Sequence, residues 1–378
     1  MTSGLWAVLF GVYATATVVQ LVVWWGLFAR LAFRKPGLLA PETLNVTSLP
    51  PVSVLICARN EAANLAANLP VVLGQQYPKF EVLVIDDDSA DNTPLVLQAL
   101  QKKYTHLRVL HSGPKTTPGK KQALAQGIAA ARYEHLVFAD ADCRPASALW
   151  LRHMAECFLK TQDVEIVLGY GPYRSEPGLL NKWIRFETVQ TATQYFSFAL
   201  AGQPYMGVGR NLAWRRQLFQ QVGGFAAHAD LPSGDDDLFV NAAANHKNTA
   251  ICLAPEAFVF SEGEKSWRNW RLQKKRHLRA GTHYRLRHRL LLGLLALTHV
   301  THYFLLTMLL LTDFGIISAA FYAVRMASAL PIHRKILYQF REAHLLIWFP
   351  LLDAFLAIYY AVFVPRVLIY SDDLISWK

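Results

Sequence analysis

Residues 81–91 read Glu81-Val82-Leu83-Val84-Ile85-Asp86-Asp87-Asp88-Ser89-Ala90-Asp91, an apolar run that stops abruptly at three consecutive aspartates. A short β-branched run bounded by polar residues reads as a strand. Three adjacent carboxylates repel one another and persist where cations or hydrogen-bond donors neutralise them. The blander reading is an exposed acidic turn that caps a helix starting near Thr93, with Asp91 as the cap. Outward from this stretch the pattern repeats. Val52–Ala58 runs into Arg59-Asn60-Glu61, and His135–Ala139 runs into Asp140-Ala141-Asp142. Leu107–His111 and Val164–Tyr170 read as further strands, with Ala62–Leu73, Thr93–Lys103 and Lys121–Arg132 as the helices between. This alternation predicts an α/β fold with a mostly parallel sheet and helices on its faces, in which ligands gather at the carboxyl ends of the strands. Strand alternation puts Asp140 and Asp142 on one side. Two hard oxygen ligands there suit Mg²⁺ or Mn²⁺ beside a nucleotide diphosphate.

The flanks are apolar throughout. Leu5 to Leu31 is long enough to span a bilayer, too long for a signal-peptide core, and has no small-residue cleavage site. Arg30, Arg34 and Lys35 follow, which places the N-terminus outside and the next segment in the cytoplasm. A linker over Pro36–Pro51 leads into the α/β region. Three further spans are expected at Leu290–Leu311, Asp313–Ala329 and His344–Tyr370, the first two forming a tight hairpin at Thr312 and Asp313. Arg325, Arg334, Lys335 and Arg341 place the following loop inside. The count is four spans, or three if His299 and His302 make the first of these an interfacial helix. Lys265–Arg289 holds ten Lys/Arg and no acid, nearly the whole of the formal charge of +11. Such a run can bind nucleic acid. An apolar stretch follows at once, so a juxtamembrane segment facing anionic lipid is preferred and no nucleic-acid partner is expected. The four cysteines form no Cys-x-x-Cys pair and no zinc spacing, as expected of free thiols in a reduced compartment.

The motif order over roughly Pro51 to Gly281 resembles family 2 glycosyltransferases, the GT-A group that includes cellulose, chitin and hyaluronan synthases and ceramide glucosyltransferase. The resemblance rests on Pro51–Glu61 as the first strand and on Glu81–Ser89 as the Asp-Asp-Gly-Ser strand, with Asp88 where Gly is usual. It continues through Gly119-Lys120 before a helix and Asp140-Ala141-Asp142 as the D-x-D. Beyond these lie the small-residue segment Gly207–Arg216, the acidic loop Ser233–Leu238, and Gln273-Lys274-Lys275-Arg276-His277 as Q-x-x-R-W. Gly234 stands for the usual Glu and His277 for the usual Trp. The resemblance implies a nucleotide-sugar donor held by Ala58, Asn60, Glu61, Asp87, Lys120, Asp140 and Gly209, and a Mg²⁺ or Mn²⁺ ion on Asp140 and Asp142. In an inverting transfer a carboxylate takes the acceptor's proton. Counting back from Leu238 selects Asp235, with Asp236 as rival. Gln273 and Arg276 share a helical face, and Arg276 can pair with the diphosphate through its planar fork.

The expected organisation is a membrane helix over 1–35, a GT-A catalytic domain over 50–264, a basic interfacial helix over 265–289 and a membrane region of two or three helices over 290–378. The expected function is sugar transfer to a lipid or lipid-linked acceptor by a multi-pass cell-membrane protein with a cytoplasmic catalytic domain. Two alternatives stand beside it: a polysaccharide synthase, and a catalytically silent membrane-anchored binding protein. A membrane nucleotidyltransferase is disfavoured, having no need of the acidic loop or of the Gln-x-x-Arg helix.

Overall fold

The N-terminal apolar run folds as α1 (Ser3–Val23), passes through one wider π turn at Trp24–Phe28 and ends in α2 (Ala29–Ala32). The computed structural model describes residues 3–34, 49–114 and 118–365. Lys35, most of the Pro36–Pro51 linker and the end of the span expected to reach Tyr370 lie outside the described residues.

The sheet region begins with β1 (Val52–Ala58), α3 (Ala62–Leu73), β2 (Phe80–Asp86), α4 (Thr93–Lys103), β3 (Leu107–His111), α5 (Lys121–Ala130) and β4 (His135–Phe138). It continues through β5 (Arg144–Pro145), α6 (Trp150–Glu156), β6 (Ile166–Leu168), the long α7 (Leu179–Leu200), β7 (Leu212–Arg215), α8 (Arg216–Gln221), α9 (Asp237–Ala243), β8 (Thr249–Ile251) and β9 (Val259–Phe260). Seven strands pair in the order β3-β2-β1-β4-β7-β6-β8. β3, β2, β1 and β4 are parallel, β7 is antiparallel to both neighbours, and β6 runs parallel to β8. The mostly parallel sheet with covering helices is therefore present. The sequence reading missed β7 and β8, which are short and lack a clean apolar alternation, and it drew the strand at Val164–Tyr170 too long.

Both faces of β1 are buried, as continuous apolar parallel strands require. Val52, Val54 and Ile56 face one cluster with α3 and α6, whereas Leu55 and Cys57 face another with α5 and α7. That second cluster does not stop at the sheet. It runs through α7 into Trp24, Phe28, Ile332, Ile336 and Leu352 of the apolar helices.

After α10 (Trp267–Gly281) come α11 (Leu286–Leu309), α12 (Gly315–Gln339) and α13 (Phe349–Ile358). Four helical segments among the described residues are long and apolar enough to cross a membrane: Gly4–Ala32, Leu286–Leu309, Gly315–Gln339 and Ala343–Phe363. Arg334 and Lys335, expected in the loop after the span ending at Ala329, instead lie within α12, which continues to Gln339. Arg325 is fully buried within this bundle. Its guanidinium donates to Asp353 Oδ2 at 2.7 Å and to Gln20 Oε1 at 2.8 Å, and lies over the Trp24 and Tyr303 rings. A charge is tolerated there because its counter-ion and hydrogen bonds come with it. His299 and His302 also face inward: His299 meets the Asp353 carbonyl at 2.9 Å and His302 meets Thr17 at 2.8 Å. At the other end of α12, Arg185 of α7 pairs with Glu342, donating through Nε at 3.1 Å, and both are buried.

Removing one member of a buried ion pair strands the other, at a cost of about 3–5 kcal/mol. Arg325→Met is therefore expected to lower the thermal unfolding midpoint of the detergent-purified chain, and adding Asp353→Leu should recover part of the loss. Indistinguishable midpoints for wild type, single and double variants would sink the pairing.

Candidate active site

The acidic strand ends are ordered by local hydrogen bonds. Asp86 accepts from Ser89 N at 3.2 Å, and Asp87 accepts from Ser112 Oγ at 3.1 Å. Both are buried while Asp88 is exposed. Asp88 sits at φ 60°, in the left-handed region that Gly, Asn and Asp occupy most readily. The residue standing where Gly is usual thus keeps the conformation Gly would supply. Asn60, at φ 56°, accepts from Ala90 N at 2.8 Å, and the Glu61 amide donates to Thr93 at 2.9 Å. Asp91 is no simple helix cap: it accepts from Thr93 N and also from Ala62 N, so it ties the ends of β1 and β2 together.

Beyond β4, Asp140 and Asp142 lie in the turn after Phe138, which corrects their expected place on the strand itself. One oxygen of each and the Cys143 sulfur lie within 4.8 Å of one another. Cys143 was not singled out from the sequence. Burial and the two aspartates push its thiol well above the usual range, so it stays protonated beside them. The carboxylates are the hard donors that Mg²⁺ or Mn²⁺ prefers, and the residues fit such an ion.

Lys120 closes the site. Its ammonium lies 2.8 Å from Asp140 Oδ1 and 3.1 Å from Asp235 Oδ2. Burial would lower the lysine, but Asp140, Asp235 and Asp236 outweigh it and hold Lys120 well above its usual range. Burial likewise opposes ionisation of Asp140, yet Lys120 keeps it below the usual carboxylate range. Lys120, Asp140, Gly209, Asp235 and Asp236 line one cleft with Cys57, Phe138 and Trp214 as its floor.

The three loop aspartates differ in their partners. Asp236 accepts from Gly209 N at 2.6 Å and from Asp237 N at 2.8 Å. A Cβ on Gly209 would press against that carboxylate at 3.1 Å, so the absence of a side chain allows the contact. Asp237 accepts from Tyr284 at 2.7 Å and from Leu238 N. Asp235 meets Lys120. Burial first, then the neighbouring acid, pushes Asp236 up to about 6 and Asp237 up to about 8. Gly234 is at φ 94°, and a Cβ there would fall 2.4 Å from the Leu238 side chain, which accounts for Gly in place of Glu.

Ala58, Asn60, Glu61 and Asp87 stand at the ends of β1 and β2, outside the lining of that cleft. Gln273 and Arg276 lie on α10. The Arg276 carbonyl accepts from Ser233 Oγ at 3.3 Å, its charge helps to depress Asp140, and Gln273 Oε1 is buried without a partner among the described residues. His277 is exposed. Two cations were missed in the sequence. Arg210 lies over the Tyr173 ring at 4.2 Å and its charge bears on both Asp140 and Asp142. Buried Lys121 donates to the His228 and Leu231 carbonyls, fastening the start of α5 to the segment that leads into the acidic loop. Arg210 lies within the small-residue segment Gly207–Arg216, and Lys121 directly follows Gly119-Lys120.

Residues 53–223 match the family described as Glycosyl transferase family 2. A probable glycosyltransferase of Bacillus subtilis is 26% identical over 244 residues, which are 62% of this chain and 56% of that protein. A beta-monoglucosyldiacylglycerol synthase of Trichormus variabilis is 39% identical over 113 residues, 29% of this chain and 24% of that one. The matched stretches thus span about half the length of the first relative and a quarter of the second. A solved mannosyltransferase of Pyrobaculum calidifontis, in complex with GDP-Man and Mn2+, aligns over 97% of this chain and 100% of its own with a TM-score of 0.63 at 20% identity, a likeness of fold.

If Asp140 and Asp142 share a cation, Asp142→Asn should weaken Mn²⁺ binding by roughly tenfold, about 1.4 kcal/mol. Electron paramagnetic resonance titration of the purified chain measures this, and unchanged affinity would exclude Asp142 as a ligand.

Proposed function

We propose that the chain is a family 2 glycosyltransferase, in keeping with the match over residues 53–223, and that it moves a sugar from a nucleotide-sugar to a lipid or lipid-linked acceptor with inversion at the anomeric carbon. The observation that carries this reading is the convergence of Lys120, Asp140, Asp235 and Asp236 on one cleft at the strand ends. In this reading Asp87, Asn60 and Glu61 hold the nucleoside end of the donor. Asp140 and Asp142 would hold Mg²⁺ or Mn²⁺, which when bound supplies charge stabilisation to the departing diphosphate. Lys120 and Arg276 add positive charge on the same side.

Asp235 is the base. Asp236 and Asp237 are engaged by backbone amides and Tyr284, whereas Asp235 is held by a lysine that can turn to the diphosphate. Its carboxylate takes the acceptor hydroxyl's proton as that oxygen attacks the anomeric carbon and the sugar–phosphate bond breaks. Proton transfer of this kind contributes about 10²–10⁴-fold. The relative named for glucosyldiacylglycerol synthesis and the apolar helices support a lipid acceptor. The ends of α2 and α12 and the start of α11 all lie on the side of the sheet domain, consistent with a cytoplasmic catalytic domain and an external N-terminus.

Asp235→Asn should leave donor binding near normal and cut turnover by about 10²–10⁴-fold. Asp237→Asn should be milder. Turnover of the three loop Asn variants at saturating donor decides it: an active Asp235→Asn with a dead Asp236→Asn moves the base by one residue. The native cysteines are all buried, so Lys102→Cys, on an exposed face of α4, reports topology. It should resist an impermeant thiol reagent in intact cells and react after lysis; labelling in intact cells would invert the orientation.

A further inference from the structure

A second cavity, of about 40 Å³, lies where α7 meets the apolar helices and shares no lining residue with the acidic cleft. A cavity needs about 10–15 Å³ of such space to hold one water, so this one takes a small hydroxyl-bearing group the size of about three waters. Its wall includes Gln20, Gln190, Gln194, His299, Asp353 and Tyr360. Polar groups between membrane helices are costly and mark functional positions.

Most of these groups are already committed. Gln20 accepts from Arg325 and donates to the Thr298 carbonyl at 2.8 Å. His299 is shared between Arg325 and the Asp353 carbonyl. Asp353 takes Arg325 and Tyr303, each at 2.7 Å. Gln190 differs. It is only 7% exposed, it lines the cavity, and its amide nitrogen has no hydrogen-bond partner among the described residues. A buried donor left unsatisfied is unfavourable, and an oxygen-bearing ligand in the cavity would satisfy it. The charge of the wall narrows the choice. Asp353 is the one charged residue in the lining and is paired with Arg325, so the wall among the described residues offers no spare cation for a phosphate.

We infer that this cavity binds the uncharged, hydroxyl-bearing headgroup of a membrane lipid, with Gln190 donating to a headgroup oxygen and the Gln194–Tyr360 pair beside it. Val23 and Phe28 give the wall an apolar part for the adjoining hydrocarbon. The inference rests on the four helices lying in a membrane and is independent of sugar transfer.

The test is competition against a fluorescent diacylglycerol on the full chain in detergent. Unlabelled diacylglycerol should displace the probe at about tenfold lower concentration than phosphatidic acid or triacylglycerol with the same chains. Gln190→Leu should weaken probe binding about tenfold. Tyr360→Phe, which keeps the ring, should weaken it about threefold and carries the test if the leucine variant does not fold. Phosphatidic acid competing as well as or better than diacylglycerol, or unchanged binding in the folded variants, overturns the proposal. Transfer activity is scored separately on the same preparation, so the lipid site and the transferase reading stand or fall apart.

Discussion

The cleft depends on one ammonium group. Acidic residues arrive from the turn after β4 and from the loop before α9, and their mutual repulsion is relieved where Lys120 reaches Asp140 and Asp235 together. The backbone is shaped to put it there. Gly119 is at φ 78° with its Cα beside the Pro232 carbonyl, where a Cβ would come within 2.3 Å, so the loop before α5 and the acidic loop touch main chain to main chain. Lys121 then ties the same loop from the other side. A lysine in this position neutralises two carboxylates at once, and under the proposed function it can turn to the donor's phosphate. It links the candidate metal ligands to the candidate base.

The sheet domain and the apolar helices are not separable bodies joined by a linker. One apolar cluster passes from β1 and β4 through α7 into α12 and α13, and the Arg185–Glu342 pair fixes that junction. α10 is fastened at the same place, through Lys274 to Glu187 of α7 and through Arg276 to the acidic loop. The helix with the Gln-x-x-Arg motif thus touches both the candidate active site and the element that backs the second cavity. For a reaction between a water-soluble donor and a membrane-resident acceptor, this is the coupling the chemistry needs.

Much of this was legible in the sequence because strand ends concentrate chemistry. Asp86, Asp87 and Asp140 were found by asking which residues follow an apolar run, whereas Asp235 came from the resemblance of the acidic loop, counted back from Leu238. The sheet's antiparallel part was not legible, because Leu212–Arg215 has four residues and follows a glycine-rich segment that reads as a turn. Arg325 was counted with the charges that mark the following loop for a different reason. Charge marks loops when nothing is known of partners, and its partner Asp353 is 28 residues away. Substitutions at Asp88 and Gly234 looked like departures until their positive φ angles gave each a reason. Gln190 carries no motif at all and Arg210 sits unmarked within the small-residue segment, so only three-dimensional neighbours bring them to notice.

The central claim is a single displacement, with one carboxylate as base and no covalent sugar–enzyme intermediate. The anomeric configuration of the product tests it most directly. With an α-configured nucleotide-sugar as donor, proton NMR of the purified product should show a β linkage. An α-linked product would require a second, nucleophilic carboxylate and would contradict the role assigned to Asp235.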